Sequence, residues 1–198
     1  MYNYRWLIGH LPGFLQIQLQ GFSWMHVALL AAAGIVGFFL LLYIFRGTRG
    51  RRLDGKLLLT GSLMIICVSV ILEITVFRRS TAGDGVIHGE LYFGSLHTGY
   101  AEAERLVYSV LNVLLFVPFG MAYRLLRCGG RYVYLIFMTA LTGFCFSFLI
   151  EISQLLLAKG YFELVDIVCN TTGGVIGAVP VSVCMLLLRM LRGEKNGN

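Results

Sequence analysis

Four polar residues stand at helical spacing inside two stretches that are otherwise apolar. Glu151 and Gln154 are three apart in EISQ, and Asp166 and Asn170 are four apart in DIVCN, with Gly173 and Gly177 beyond them. Each pair therefore shares one helix face. A carboxylate near the end of an apolar helix is costly to keep there, which marks this corner as the place to look for function. Glu151 and Asp166 are candidates for acid and base in proton transfer. Together with the two amides they could instead bind the polar part of a ligand. No nucleophile accompanies them: Ser147 and Ser153 lie near Glu151, but neither span holds a histidine, so a Ser-His triad is not supported. His88 and His97 share a connection with Glu90, yet no helix fixes their spacing. They read as loop histidines, and no metal or other cofactor is expected. Gly173 and Gly174 lack a phosphate-loop context and read as close helix packing.

The elements that must position these groups are membrane helices. The 198-residue chain is 58% apolar and only 13% charged, about half the charge of a soluble domain, and its mean hydropathy is +0.79. The expected class is an all-α membrane protein, a bundle of about five transmembrane helices. The spans are Trp24–Phe45, Leu57–Phe77, Leu106–Leu126, Tyr132–Leu157 and Leu164–Leu188. Continuous rather than alternating apolar runs argue against a β-barrel. Residues 1–23, with Pro12 and Gly13 but no clean apolar core or cleavage site, read as an interfacial or re-entrant segment. Residues 24–192 form one helical domain, and 193–198 a short tail. Pro118 should kink the third span and free a carbonyl within the bundle. The five cysteines, including Cys128, have no metal-type spacing and read as packing residues.

Charge follows topology. Eleven of the 16 basic residues fall in the first-to-second and third-to-fourth connections and the C-terminal tail, and five on the other side. The positive-inside rule then sets the N-terminus outside and the C-terminus in the cytoplasm. The net charge of +6 comes with no nucleic-acid motif, so nucleic acid is rejected as a partner. Membrane lipids are expected ones, and oligomeric state is not readable. The long connection 78–105 lies on the outer side and should serve as a cap.

The polar residues of all these spans then gather at one depth. Glu73 lies about 6 Å inside the end of the second span at 1.5 Å per residue. Asn112 sits early in the third, Glu151 and Gln154 late in the fourth, Asp166 and Asn170 early in the fifth. Small residues on the same faces, such as Ser69, Gly143, Ser147 and Gly177, let helices approach. The polar ends should converge on one outward cavity rather than on lipid. Ligand-binding candidates are Glu73, Arg78, Arg79, Asn112, Glu151, Gln154, Asp166 and Asn170. Arg78 and Arg79 follow Glu73 closely and could be its counter-ions or interface anchors; both readings stand.

Three blocks carry a family resemblance. They are VFRRS (Val76–Ser80), NVLLFVPFG (Asn112–Gly120) and IEISQLLLAKGYFELVDIVCNTTGGVIGA (Ile150–Ala178). In combination, Asn-x5-Pro-Phe-Gly, Glu-x2-Gln and Asp-x3-Asn-Thr-x-Gly-Gly resemble the VanZ-like family of bacterial membrane proteins. LYFGSLHTG (Leu91–Gly99) is similar to that family's loop before the third span, with Gly94 in place of a Pro-Phe-like pair. The resemblance implies a small helical protein of the bacterial inner membrane, linked in the family's namesake to low-level teicoplanin resistance. A lipid-linked or glycopeptide ligand is the corresponding partner.

Two functions remain, and the missing nucleophile favours the first. One is a binding module that captures an amphiphile, lipid headgroup or cell-wall-related ligand. The other is an intramembrane enzyme working through Glu151 and Asp166 on a lipid-linked or cell-wall substrate. The absence of an internal repeat argues against a transporter.

Overall fold

A computed structural model describes residues 4–47, 54–79, 86–96, 99–127 and 131–192. Six helices follow one another: α1 (Tyr4–Leu19), α2 (Trp24–Leu42), α3 (Gly55–Leu72), α4 (Tyr100–Leu126), α5 (Tyr132–Leu156) and α6 (Leu164–Leu191). α2 and α3 each end in a wider π-helical turn, Tyr43–Gly47 and Glu73–Phe77, so five elements are long and apolar enough to cross a membrane. Local chemistry sets two of the starts. The Ser23 hydroxyl accepts from His26 N at 3.3 Å, and the Asp54 carboxylate from Lys56 N at 3.0 Å, each satisfying an orphan helix donor.

Lipid-facing surface is large and apolar. Trp24, Val133, Leu156 and Leu191 are more than three-quarters exposed, which only an apolar solvent makes favourable. The buried core is correspondingly small. Ile71, Val76, Phe116, Phe119 and Ile150 form it, and Phe119 stacks on Phe146 with centroids 5.4 Å apart.

The closest helix pair is α4 against α6. A Cβ on Gly173 would land on the Val113 carbonyl, one on Gly177 on the Val117 carbonyl, and one on Gly120 on the Gly174 carbonyl. Backbones therefore meet directly, as small residues permit in a membrane. α4 continues through Pro118, which has no N–H to give the Leu114 carbonyl.

Two expectations need correction. The third span begins at Tyr100, not Leu106: YAEAER is too polar for a hydropathy window, but alanine, glutamate and arginine are good helix formers. The connection before it is correspondingly shorter than 78–105. Arg124, counted above as a basic loop residue, is 1% exposed. Its Nε donates to Ser182 Oγ at 2.8 Å, Nη1 donates to the Arg127 carbonyl, and the guanidinium lies 5.4 Å from the Tyr132 ring centre. These contacts tie α4, α5 and α6 together at the end opposite the polar cluster.

The N-terminal segment is a helix that lies against α4. Phe14, 3% exposed, meets the rings of Tyr100 and Tyr108. Two dipeptide strands complete the fold: Ile87–His88 (β1) pairs in parallel with Phe162–Glu163 (β2), bringing the loop before α4 onto the start of α6.

Candidate functional site

The end of the bundle where α2, α4 and α6 begin and α3 and α5 finish carries all eight residues singled out by spacing, but they divide into three groups. The first group is Glu73. It is fully buried, and its Oε1 accepts from Ser23 N at 3.1 Å and meets His26 Nδ1 at 3.4 Å. Its other oxygen has no partner. A carboxylate at the N-terminus of α2 complements that helix's positive end.

Neither arginine lies within ion-pair distance of Glu73, whose charge acts on Arg78 only at longer range. Arg78 turns instead to the C-terminus of α1, where uncapped carbonyls concentrate partial negative charge. Its Nη1 donates to Ile17 O and Gln20 O at 3.3 and 3.2 Å, and Nη2 to Gln18 Oε1 at 3.0 Å. Burial, then the neighbouring Arg79 charge, pulls the Arg78 guanidinium down from its usual value, and it stays cationic. Arg79 lies against Gly160 and acts at longer range on Glu151 and Asp166. Arg78→Ala should therefore loosen α1. Losing about 1.4 kcal/mol of charge-assisted bonding would speed amide exchange over residues 4–19 about tenfold, while Arg79→Ala should leave it unchanged. Exchange by mass spectrometry reads both.

The second group closes the α5–α6 connection. Gln154, 1% exposed, donates from Nε2 to Thr75 O at 2.9 Å, and Lys159 Nζ donates to Val76 O at 3.0 Å. Both satisfy carbonyls at the end of the second span. Glu151 Oε2 accepts from Glu163 N at 2.8 Å, clamping β2 onto α5. Asn170 Nδ2 donates to Ser147 Oγ at 2.8 Å, joining α6 to α5. These are buried links between elements, although Gln154 Oε1 and Asn170 Oδ1 are left without partners.

The third group is an open recess of about 360 Å³ beside Asp166. Asp166 is in the first turn of α6, with the Asn112 side chain of α4 close beside it. Two more carboxylates, Glu90 and Glu163, share its wall, and three tyrosines, Tyr92, Tyr108 and Tyr161, supply aromatic surface. Arg105 and His88 complete the polar lining, with His88 edge-on to Tyr161 at 5.3 Å between ring centres. Ser109 is buried beneath it, and its Oγ donates to the Phe93 carbonyl at 3.4 Å. Of the eight candidates, then, Asp166 lines the recess and Asn112 lies beside it. Glu73, Glu151, Gln154 and Asn170 do not line the recess. His97 and Cys128 lie outside the described residues.

Sequence reasoning missed Tyr108, Ser109, Tyr161 and Glu163 as wall residues. One signal was available: Glu163 stands three residues before Asp166, immediately ahead of α6, where its carboxylate falls near the same helix start.

Such an architecture, five candidate membrane spans with carboxylates and amides gathered at one end, defines a multi-pass helical membrane protein with a polar recess. Residues 64–188 match the VanZ/LLP1 family model, and the chain belongs to that family. The match covers the end of α3 through most of α6, the helices that carry the recess and its supports. No curated protein and no solved structure matches the chain.

Proposed function

We propose that this protein is a membrane-embedded binding module. Its recess between α4, α6 and the loop before α4 takes the polar headgroup of an amphiphile, drawn from the lipids or cell-wall precursors of a bacterial inner membrane. The observation that carries this is the recess itself: charged and aromatic groups face one open volume at the end of an apolar bundle. Polar groups converging with aromatic surface on one concave volume suit the polar end of a small ligand. The basic asymmetry supports an N-terminus outside and a C-terminus inside, with the recess open to the outer leaflet. The resemblance that links the family's namesake to low-level teicoplanin resistance is consistent with a site for a cell-envelope amphiphile.

Acid–base catalysis is the weaker reading. Glu151 and Asp166 are close enough for their charges to interact, but Glu151 is 1% exposed and one of its oxygens is committed to Glu163 N. Native mass spectrometry of protein released into mild detergent should show a retained amphiphile. Val165→Trp, which places an indole in the recess, should remove it without unfolding the protein. A wild-type protein that retains no amphiphile, or a variant that retains it equally, overturns the proposal.

A further inference from the structure

We infer that the recess recognises its ligand through an ammonium group, as carried by an amino-alcohol or amino-sugar headgroup. The inference rests on the recess being the binding site proposed above and specifies what binds there.

Charge is the first argument. Glu90, Glu163 and Asp166 line the recess with Arg105 as its one lysine or arginine. Among the described residues no lysine or arginine nitrogen lies within the 4.0 Å ion-pair distance of any of the three carboxylates. Glu163 and Asp166 are also near enough for their charges to repel, with Arg79 offsetting this only at longer range. A cation entering the recess would relieve that repulsion. An anionic headgroup would add to it.

The walls say which kind of cation. No group of three or more histidine, cysteine, aspartate or glutamate side chains has metal-holding geometry among the described residues. A volume of about 360 Å³ is also far larger than one ion and falls at the lower end of the range for small organic ligands. Tyr92, Tyr108 and Tyr161 put three aromatic rings in the wall, and aromatic rings attract organic ammonium groups. Arg105 is exposed at the edge of the same recess, where it can meet a phosphate attached to the amine. Glu163 and Asp166, half-buried, lie deeper than the exposed Glu90 and Arg105, which matches a zwitterion with its amine innermost.

The test uses the full chain in phosphatidylglycerol nanodiscs, with and without phosphatidylethanolamine, and counts lipid retained on gentle release by native mass spectrometry. The wild type should retain phosphatidylethanolamine over phosphatidylglycerol by about tenfold, the equivalent of 1.4 kcal/mol. N-acetyl phosphatidylethanolamine, which has lost the positive charge, should fall to the phosphatidylglycerol level. Asp166→Asn and, independently, Glu90→Gln on the loop should each reduce the preference, so a folding defect in one variant leaves the other to decide. Soluble phosphoethanolamine that displaces the lipid supports the inference with the headgroup alone as the ligand. Failure to displace a preferentially retained lipid supports it with the membrane lipid as the source. Equal retention of both lipids, with Val165→Trp removing both, refutes the ammonium and leaves the recess as a binding site. Retention unaffected by Val165→Trp refutes the binding site as well.

Discussion

Gly177→Ala should be among the most damaging single-methyl changes in this protein. The new Cβ would clash with the Val117 carbonyl oxygen, and that oxygen belongs to the α4 backbone rather than to a side chain that can swing away. The helices must separate. Overpacking of this kind costs about 3 kcal/mol, which in a chain of this size lowers the unfolding midpoint by on the order of 10 °C. Gly37→Ala is the matched control. A Cβ there meets nothing within 4 Å, so the better helix propensity of alanine should leave the protein unchanged or slightly more stable. Thermal unfolding in detergent compares the two, and equal midpoints would mean that α4 and α6 do not pack backbone to backbone.

Glu151 should show a large effect that depends on the replacement. Glu151→Ala removes the acceptor of Glu163 N, the bond that fixes β2 and with it Glu163 in the recess wall. An unpaired buried donor costs about 1–3 kcal/mol. Both stability and amphiphile retention should fall. Glu151→Gln keeps an oxygen at that position and should restore both. Asp166→Asn, by contrast, should fold normally and lose binding, because Asp166 faces the recess itself. Loss of function in Glu151→Gln with an intact fold would favour proton transfer by Glu151 and revive the catalytic reading.

Much of the architecture was legible because membrane helices announce themselves locally. A run of about 20 apolar residues can hardly be anything else in a chain with this little charge. The level of Glu73, Asn112, Glu151 and Asp166 followed from counting residues inward from the span ends. Helical spacing also put Ser147 and Asn170 on faces expected to pack against other helices, and the structure joins the two at 2.8 Å.

The recess was not legible, for reasons that lie in long-range pairing. Its wall depends on two dipeptide strands 75 residues apart in sequence, Ile87–His88 and Phe162–Glu163, too short to carry any periodic pattern. Arg78 shows the same limit. Proximity in sequence pointed to Glu73, but the carbonyls of Ile17 and Gln20 compete for the guanidinium from 61 and 58 residues away and hold it. Arg124 fails differently. Lysine and arginine at span ends normally reach for the interface, and only the placement of Ser182 and Tyr132 reveals that this one turns inward.

The most direct measurement of the central claim is an experimental structure of the full chain in lipid nanodiscs made from bacterial lipid. The account predicts a headgroup in the recess, with its polar end against Asp166 and Glu163, its flank on Tyr161, and its tail leaving toward the bilayer. A recess closed by its own side chains, or lipid ordered only along the outer faces of the helices, would contradict it.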